Sequence, residues 1–99
     1  LPVLEALASA TPTLISNDPA LLEVAGPESA YAVSPTSLTD IAHGMHTLLT
    51  DARLRARLGR QGPARAARFT WDSCARQTLS VYRAAVGDQT VELNPAIAR

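Results

Sequence analysis

The sequence has a single cysteine, no lysine and no long run of apolar residues. A lone cysteine, Cys74, cannot form an internal disulfide, which fits a reducing compartment. A membrane-spanning helix needs about 18 or more consecutive apolar residues, and the apolar runs in this sequence are far shorter. The first residues also lack the basic region, apolar core and cleavage site of a signal peptide. These absences favour a cytoplasmic protein.

The charges of the chain balance, because nine arginines offset nine acidic residues and the net charge at pH 7 is zero. A neutral chain offers no general attraction to nucleic acid, which is therefore not an expected partner. Hydrophobic residues occupy 46% of the 99 positions, enough to favour a folded chain over a disordered one. We predict one domain over residues 1–87, followed by a polar tail over residues 88–99.

Short helices and strands are predicted to alternate in the first third of the chain. Two β-favouring runs, over residues 13–16 and 30–33, are bounded by turn residues. A helix is predicted over residues 1–10, where Pro2 is tolerated because first-turn amides have no intrahelical acceptor. Another is predicted over residues 20–25. This order of helix, strand, helix and strand implies parallel strands in an α/β sheet.

Helical periodicity dominates the second half of the chain. Ser37 and Asp40 have the spacing of a capping box at the start of a third helix. Asp51 is predicted to cap a fourth helix, which the Gly62-Pro63 pair should interrupt.

A last helix is predicted to begin after Thr70, which can cap it. Its apolar stripe comprises Trp71, Cys74, Ala75, Thr78, Leu79, Tyr82 and Val86. Because Cys74 lies on this stripe, we predict a packing role for it rather than a nucleophilic one. Two short strands cannot cover so long a stripe, so we predict that the chain self-associates or exchanges this helix with a second copy.

Five short segments occur in an order that is typical of one enzyme family. They are Leu1–Glu5, Ala10–Pro12, Leu21–Val24, Ser34-Pro35 and Phe69–Trp71. The first resembles the end of a "G-x-P-x-x-E" helix start, and the last resembles an "F-S-W" entry to a final helix. Over roughly positions 1 to 86, the chain resembles the donor-binding domain of retaining GT-B glycosyltransferases, of the glycosyl transferases group 1 type.

The resemblance implies the C-terminal portion of a Rossmann-like GT-B domain, with short parallel strands followed by C-terminal helices. It also implies transfer of a sugar from a nucleotide-sugar to an acceptor with the anomeric configuration retained, without a metal or other cofactor. The family's acceptor domain and upstream donor residues are not found in these 99 residues. We therefore expect the isolated chain to be inactive, and the sequence assigns no catalytic residue.

Glu5 is the side chain that we predict to hold the donor. An ionised carboxylate only accepts hydrogen bonds, and two adjacent ribose hydroxyls supply two donors at a matching separation. The backbone around Leu1, Val3 and Leu4 should lie near the diphosphate, because a helix start presents free amides and a positive dipole end.

The sequence departs from the family pattern at several positions. Ala10 occupies a position where the family usually has glycine, Pro19-Ala20 replaces a common Gly-Gly pair, and Leu22 replaces a proline. Pro19 removes one backbone amide and restricts the approach of the chain to a ligand. We therefore expect these changes to affect donor binding.

His43 and His46 have a spacing that could bring two imidazoles to one metal ion on a helix. No carboxylate or cysteine lies at a supporting helical position, so we predict solvated surface histidines instead. Glu23 is likewise predicted to be an ordinary charge on a helix surface.

Arg53 to Arg68 includes six arginines and no acidic residue. Because the arginines recur around the predicted helix, we interpret the segment as a solvated face. Two alternatives to an enzyme remain: a non-catalytic α/β interaction module, and a membrane-surface adaptor that binds anionic lipid through these arginines.

Overall fold

The computed structural model describes residues 1–87, which fall in two compact units. The first unit is Leu1–Arg68, and the second begins at Phe69. The tail predicted over residues 88–99 lies outside the described residues, and the domain boundary at residue 87 stays a prediction. The elements in chain order are α1 (Pro2–Ala8), β1 (Leu14–Ser16), α2 (Pro19–Ala25), β2 (Tyr31–Val33), α3 (Leu38–Thr50), α4 (Ala52–Ala66) and α5 (Trp71–Ala85).

The predicted parallel pairing of the two strands is confirmed. β1 and β2 form a parallel two-stranded sheet in the register Leu14 with Tyr31, Ile15 with Ala32 and Ser16 with Val33. Because the strands are parallel, their carboxyl ends lie at the same edge of the sheet, and α2 and α3 follow them from that edge. The first unit therefore has the α/β organisation that the sequence predicted.

The core of the first unit is small and draws on nearly every element. Its buried apolar side chains come one each from α1, β1, α2, β2 and α4, and are Leu7, Ile15, Ala25, Val33 and Leu58. Leu7 has no exposed surface at all, so α1 is anchored through this residue.

α3 lies directly on the sheet because Gly44 has no side chain. A Cβ atom at Gly44 would lie 2.7 Å from Cγ1 of Val33 and 3.0 Å from Cδ1 of Leu14. Glycine lowers helix propensity by about 1 kcal/mol relative to alanine, so the close approach to the sheet offsets a local cost.

The predicted helix caps are present. The side chains of Ser37, Asp51 and Thr70 accept hydrogen bonds from backbone amides at the starts of α3, α4 and α5. The carboxylate of Asp40 does not complete the predicted capping box. Its Oδ2 atom instead accepts a 2.5 Å hydrogen bond from the amide of Ser34, which ties the residue after β2 to the first turn of α3.

The predicted interruption at Gly62-Pro63 is wrong, because α4 runs continuously from Ala52 to Ala66 with Pro63 inside it. Proline removes one intrahelical hydrogen bond, but the ladder resumes at once, since the amide of Ala67 donates to the carbonyl of Pro63 at 3.0 Å. Gly62 is buried against α1, and this tertiary packing holds the helix together through the proline.

The description of all six arginines as a solvated face is wrong for two of them. Nη1 of Arg55 donates to the carbonyl oxygens of Leu48 and Leu49, at 2.8 and 2.9 Å, near the end of α3. Nε of Arg65 donates to the carbonyl oxygen of Val24 at 2.8 Å, and its Nη2 donates to that of Glu23 near the end of α2. Both arginines therefore satisfy helix-terminal carbonyls and complement the negative ends of the helix dipoles.

In α5, the predicted stripe is exposed among the described residues. Trp71, Tyr82 and Val86 are 77%, 67% and 82% exposed. Cys74 is exposed too, so the packing role predicted for it is wrong. Self-association through this helix stays a prediction.

Within the described part of the chain, no helix combines the length and apolar character that crossing a membrane requires.

α1 ends in a Schellman motif that places Ala10 in a left-handed conformation, with φ of 58°. The amide of Thr11 donates to the carbonyl oxygen of Ala6 at 3.0 Å, and the amide of Ala10 donates to that of Leu7 at 3.1 Å. This geometry gives a physical reason for glycine at a position like Ala10, because glycine adopts positive φ without strain. Ala10 stores that strain in the native state.

We therefore expect Ala10→Gly to raise the free energy of unfolding by about 0.5 to 1 kcal/mol. Left-handed geometry costs a non-glycine residue about 1 to 2 kcal/mol, and the greater entropy of glycine in the unfolded chain offsets part of that gain. Urea denaturation measures the difference. Ala8→Gly, within α1, should instead destabilise the protein, and a loss of stability in both variants would show that Ala10 is unstrained.

Candidate functional site

Glu5 lies in the first turn of α1 and is exposed. Within residues 1–87, its carboxylate has no hydrogen-bond or ion-pair partner. Its backbone carbonyl is used locally, accepting hydrogen bonds from the amide and hydroxyl of Ser9 at 3.1 and 2.9 Å. The carboxylate oxygens are thus available to a ligand, while the backbone beneath them is held in the helix.

The first turn of α1 follows Leu1, its N-cap, and no side chain of the described residues bonds to its amides. Pro2 has no amide hydrogen, and the amide of Glu5 donates to the carbonyl of Leu1 at 2.9 Å. Val3 and Leu4 therefore carry the amides that lack a partner among the described residues. The four predicted residues, Leu1, Val3, Leu4 and Glu5, lie in one turn. Leu1 offers no free group there, because its carbonyl already accepts the hydrogen bond from Glu5.

The start of α2 is closed by its own acidic side chain. Oδ1 of Asp18 accepts a 2.9 Å hydrogen bond from the amide of Ala20, and the hydroxyl of Ser16 accepts one from the amide of Asp18 at 3.0 Å. Pro19 occupies the first helical position, where no amide hydrogen is required. The Pro19-Ala20 pair thus fits the local backbone. An anion would need free amides at this helix start, but the carboxylate of Asp18 already lies there.

Two glycines of α4 set how closely α1 approaches it. A Cβ atom at Gly62 would lie 2.7 Å from the carbonyl oxygen of Leu7, and one at Gly59 would lie 3.1 Å from that of Ala10. Both neighbours are backbone atoms, which cannot rotate away as a side chain can. The position of α1, and with it that of Glu5, depends on this seam between the helices.

Sequence reasoning missed the residues that fix this arrangement. Arg65 reaches carbonyls 41 and 42 residues earlier in the chain, so no local pattern could reveal its role. Gly59 and Gly62 do have the spacing of a helix seam, but the spacing alone does not identify the helix that packs against them.

The remaining candidates are exposed. His43 and His46 lie exposed on α3, as predicted, and so does Glu23 on α2. Residues 1–87 include no group of three or more histidine, cysteine or acidic side chains placed to hold a metal ion.

The parallel β1–β2 pair, the helices that follow each strand and the run of C-terminal helices define a Rossmann-like α/β protein, consistent with part of a GT-B domain. Residues 1–65 match the model of the family described as glycosyl transferases group 1. The chain belongs to this family.

Two curated mannosyltransferases are similar to the chain. The MMP alpha-(1->4)-mannosyltransferase of Mycolicibacterium hassiacum is 42% identical over 89 residues, covering 87% of this chain and 22% of that protein. The O-antigen chain mannosyltransferase B of Escherichia coli is 31% identical over 83 residues, covering 84% of this chain and 22% of that protein. The chain thus spans 22% of the length of either relative.

Proposed function

We propose that the chain forms part of the donor site of a glycosyltransferase, which transfers a mannosyl group from a nucleotide-sugar to an acceptor with retention of anomeric configuration. The match of residues 1–65 to the group 1 family carries the proposal. The choice of mannose follows the names of the two relatives. We further propose a cytoplasmic location, which the lone Cys74 favours.

In this proposal, Glu5 holds the ribose of the donor. Its unpartnered, exposed carboxylate can accept a hydrogen bond from each of two neighbouring hydroxyls. The unpaired amides of Val3 and Leu4 and the positive end of α1 lie close by in the chain and favour the negative diphosphate. When the bond between the sugar and the phosphate breaks, its electron pair passes to a phosphate oxygen, and these groups stabilise the added charge.

The carboxylate of Asp18 gives a reason to assign the diphosphate to α1 rather than to α2. Asp18 already occupies the amide of Ala20, and a second negative group beside this carboxylate would be repelled. The acceptor and the groups that perform the chemistry are proposed to lie outside these 99 residues, since the chain spans 22% of the length of either relative. We therefore expect the chain alone to transfer no sugar.

The test is a calorimetric titration of the whole protein with nucleoside diphosphate mannoses and glucoses that differ in their base. We expect saturable binding of a mannose donor. We also expect transfer of the mannosyl group to an acceptor, with release of the nucleoside diphosphate from the donor. If no nucleotide-sugar binds, the donor site is refuted and the non-catalytic interaction module is favoured.

Glu5→Gln is expected to raise the dissociation constant of the donor by about 10- to 100-fold. The substitution keeps the size of the side chain but removes a charge-assisted hydrogen bond, which contributes about 1.5 to 3 kcal/mol. Glu23→Gln is the matched control, because Glu23 is also an exposed helical glutamate, and its affinity for the donor should equal that of the native protein. Equal affinities in all three proteins would remove Glu5 from the site.

A further inference from the structure

The hydrogen bonds of α4 sort the six arginines between Arg53 and Arg68 into two groups. Arg55 and Arg65 are half-buried and bind backbone carbonyls of α3 and α2. The other four are exposed, and their guanidinium groups have no partner among residues 1–87. Arg68 follows the end of α4, and we call the other three the arginine stripe: Arg53, Arg57 and Arg60.

The arginine stripe occupies one face of α4. At 3.6 residues per turn, its three positions fall within an arc of about 60°, on the side opposite buried Gly62. The stripe is about 10 Å long at 1.5 Å per residue. No acidic residue occurs between Asp51 and Asp72 in the sequence. The solvated face therefore carries a cluster of three positive charges near the start of α4.

All three arginines of the stripe line one shallow surface cavity. It measures about 410 Å³ and is lined by Asp51, Arg53, Leu54, Ala56, Arg57 and Arg60. The carboxylate of Asp51 already accepts a hydrogen bond from the amide of Leu54. The guanidinium groups are the available binding groups, and they suit phosphate oxygens.

We propose that the arginine stripe docks the protein onto an anionic lipid bilayer. The stripe is exposed and its three guanidinium groups outnumber the single carboxylate of Asp51 beside them, which complements a surface of closely spaced phosphate headgroups. The apolar residues beside the stripe are Ala56 and the half-buried Leu54, which expose little apolar surface, so the contact is electrostatic and does not insert into the acyl layer.

Nucleic acid fits the same surface less well. Domains that bind duplexes are usually strongly basic, whereas this chain has no net charge and a pI of about 6.9. No aromatic side chain lies along the stripe to stack on the bases of a single strand. A peripheral contact with lipid needs only the local charge that the stripe supplies.

The experiment is flotation of the whole protein with vesicles of phosphatidylglycerol and phosphatidylcholine, compared with pure phosphatidylcholine. We expect binding to the anionic vesicles alone, and loss of that binding in 1 M salt, where the Debye length falls to about 3 Å. The double variant Arg53→Gln with Arg57→Gln should lower the partition coefficient about 25-fold, since each arginine near an anionic surface contributes about fivefold.

The matched control removes two exposed arginines from α5, through Arg76→Gln with Arg83→Gln. It makes the same change in net charge and should alter the partition coefficient less than about threefold. Circular dichroism should show both variants folded, and donor binding should be native in both, so a failure here is distinct from a failure of the donor site. The proposal is overturned if neutral vesicles bind equally, if both variants lose binding alike, or if the stripe binds RNA more tightly than lipid.

Discussion

Gly62→Ala is expected to lower the free energy of unfolding by about 1 to 2 kcal/mol. The new Cβ atom would lie 2.7 Å from the carbonyl oxygen of Leu7, a backbone atom that can move only if α1 moves. Overpacking of this kind costs about 1 to 3 kcal/mol, and the gain of about 1 kcal/mol in helix propensity offsets only part of the larger value. Urea denaturation measures the change, with an unaltered slope showing that the unfolding transition is the same.

Two neighbouring substitutions make the Gly62 result specific. Gly59→Ala places its Cβ 3.1 Å from the carbonyl oxygen of Ala10, so its cost should be smaller than that of Gly62→Ala. Gln61→Ala, at an exposed position between them, should change stability by less than about 0.5 kcal/mol. A Gly62→Ala protein that is as stable as the native one would show that α1 does not depend on this seam.

The same variant also tests how Glu5 is positioned. Under the proposed function, displacing α1 moves Glu5 relative to the rest of the donor site, so we expect donor affinity to fall in Gly62→Ala while Gln61→Ala binds normally. Retained affinity in a destabilised Gly62→Ala protein would separate the stability of the seam from its role in binding.

Arg65→Met is expected to destabilise the first unit by about 2 to 3 kcal/mol. The native guanidinium donates to the carbonyls of Val24 and Glu23, which lie in the last turn of α2, and a charge-assisted hydrogen bond contributes about 1.5 to 3 kcal/mol. Methionine keeps much of the apolar stem but donates no hydrogen bond. For a domain of this size, the melting temperature should fall by about 10 °C or more.

Arg57→Met is the control for Arg65→Met, because Arg57 is on the same helix but exposed. Its effect should be within about 0.5 kcal/mol. Arg65→Lys should recover only part of the stability, since an ammonium group cannot reproduce the planar fork that spans two carbonyls. Equal destabilisation by the Arg57 and Arg65 variants would mean that net charge, rather than the two hydrogen bonds, is responsible.

The helix starts were predictable because their signals are local. Ser37, Asp51 and Thr70 each cap an amide three residues away, so the sequence spacing is sufficient to identify them. The carboxylate of Asp40 had two local amides within reach, and the turn after β2 decided that it binds Ser34.

The proposed donor site follows from the sequence as a set of neighbouring residues, but the sequence does not position it in the fold. Glu5 and the first-turn amides are neighbours in sequence, so a helix at this place necessarily brings them together. The strain at Ala10 and the closure of α2 by Asp18 required backbone angles and hydrogen bonds that the family pattern does not contain.

The sequence by itself determined the order of helices and strands, the parallel pairing and the family, because these depend on local periodicity, capping and short motifs. The tertiary structure alone decided that α4 continues through Pro63 and that Arg55 and Arg65 bind carbonyls at the ends of α3 and α2. Each of these outcomes depends on a contact between separate elements of the fold. The local sequence limits the contacts that a residue can make, and the neighbouring elements in the folded chain select among them.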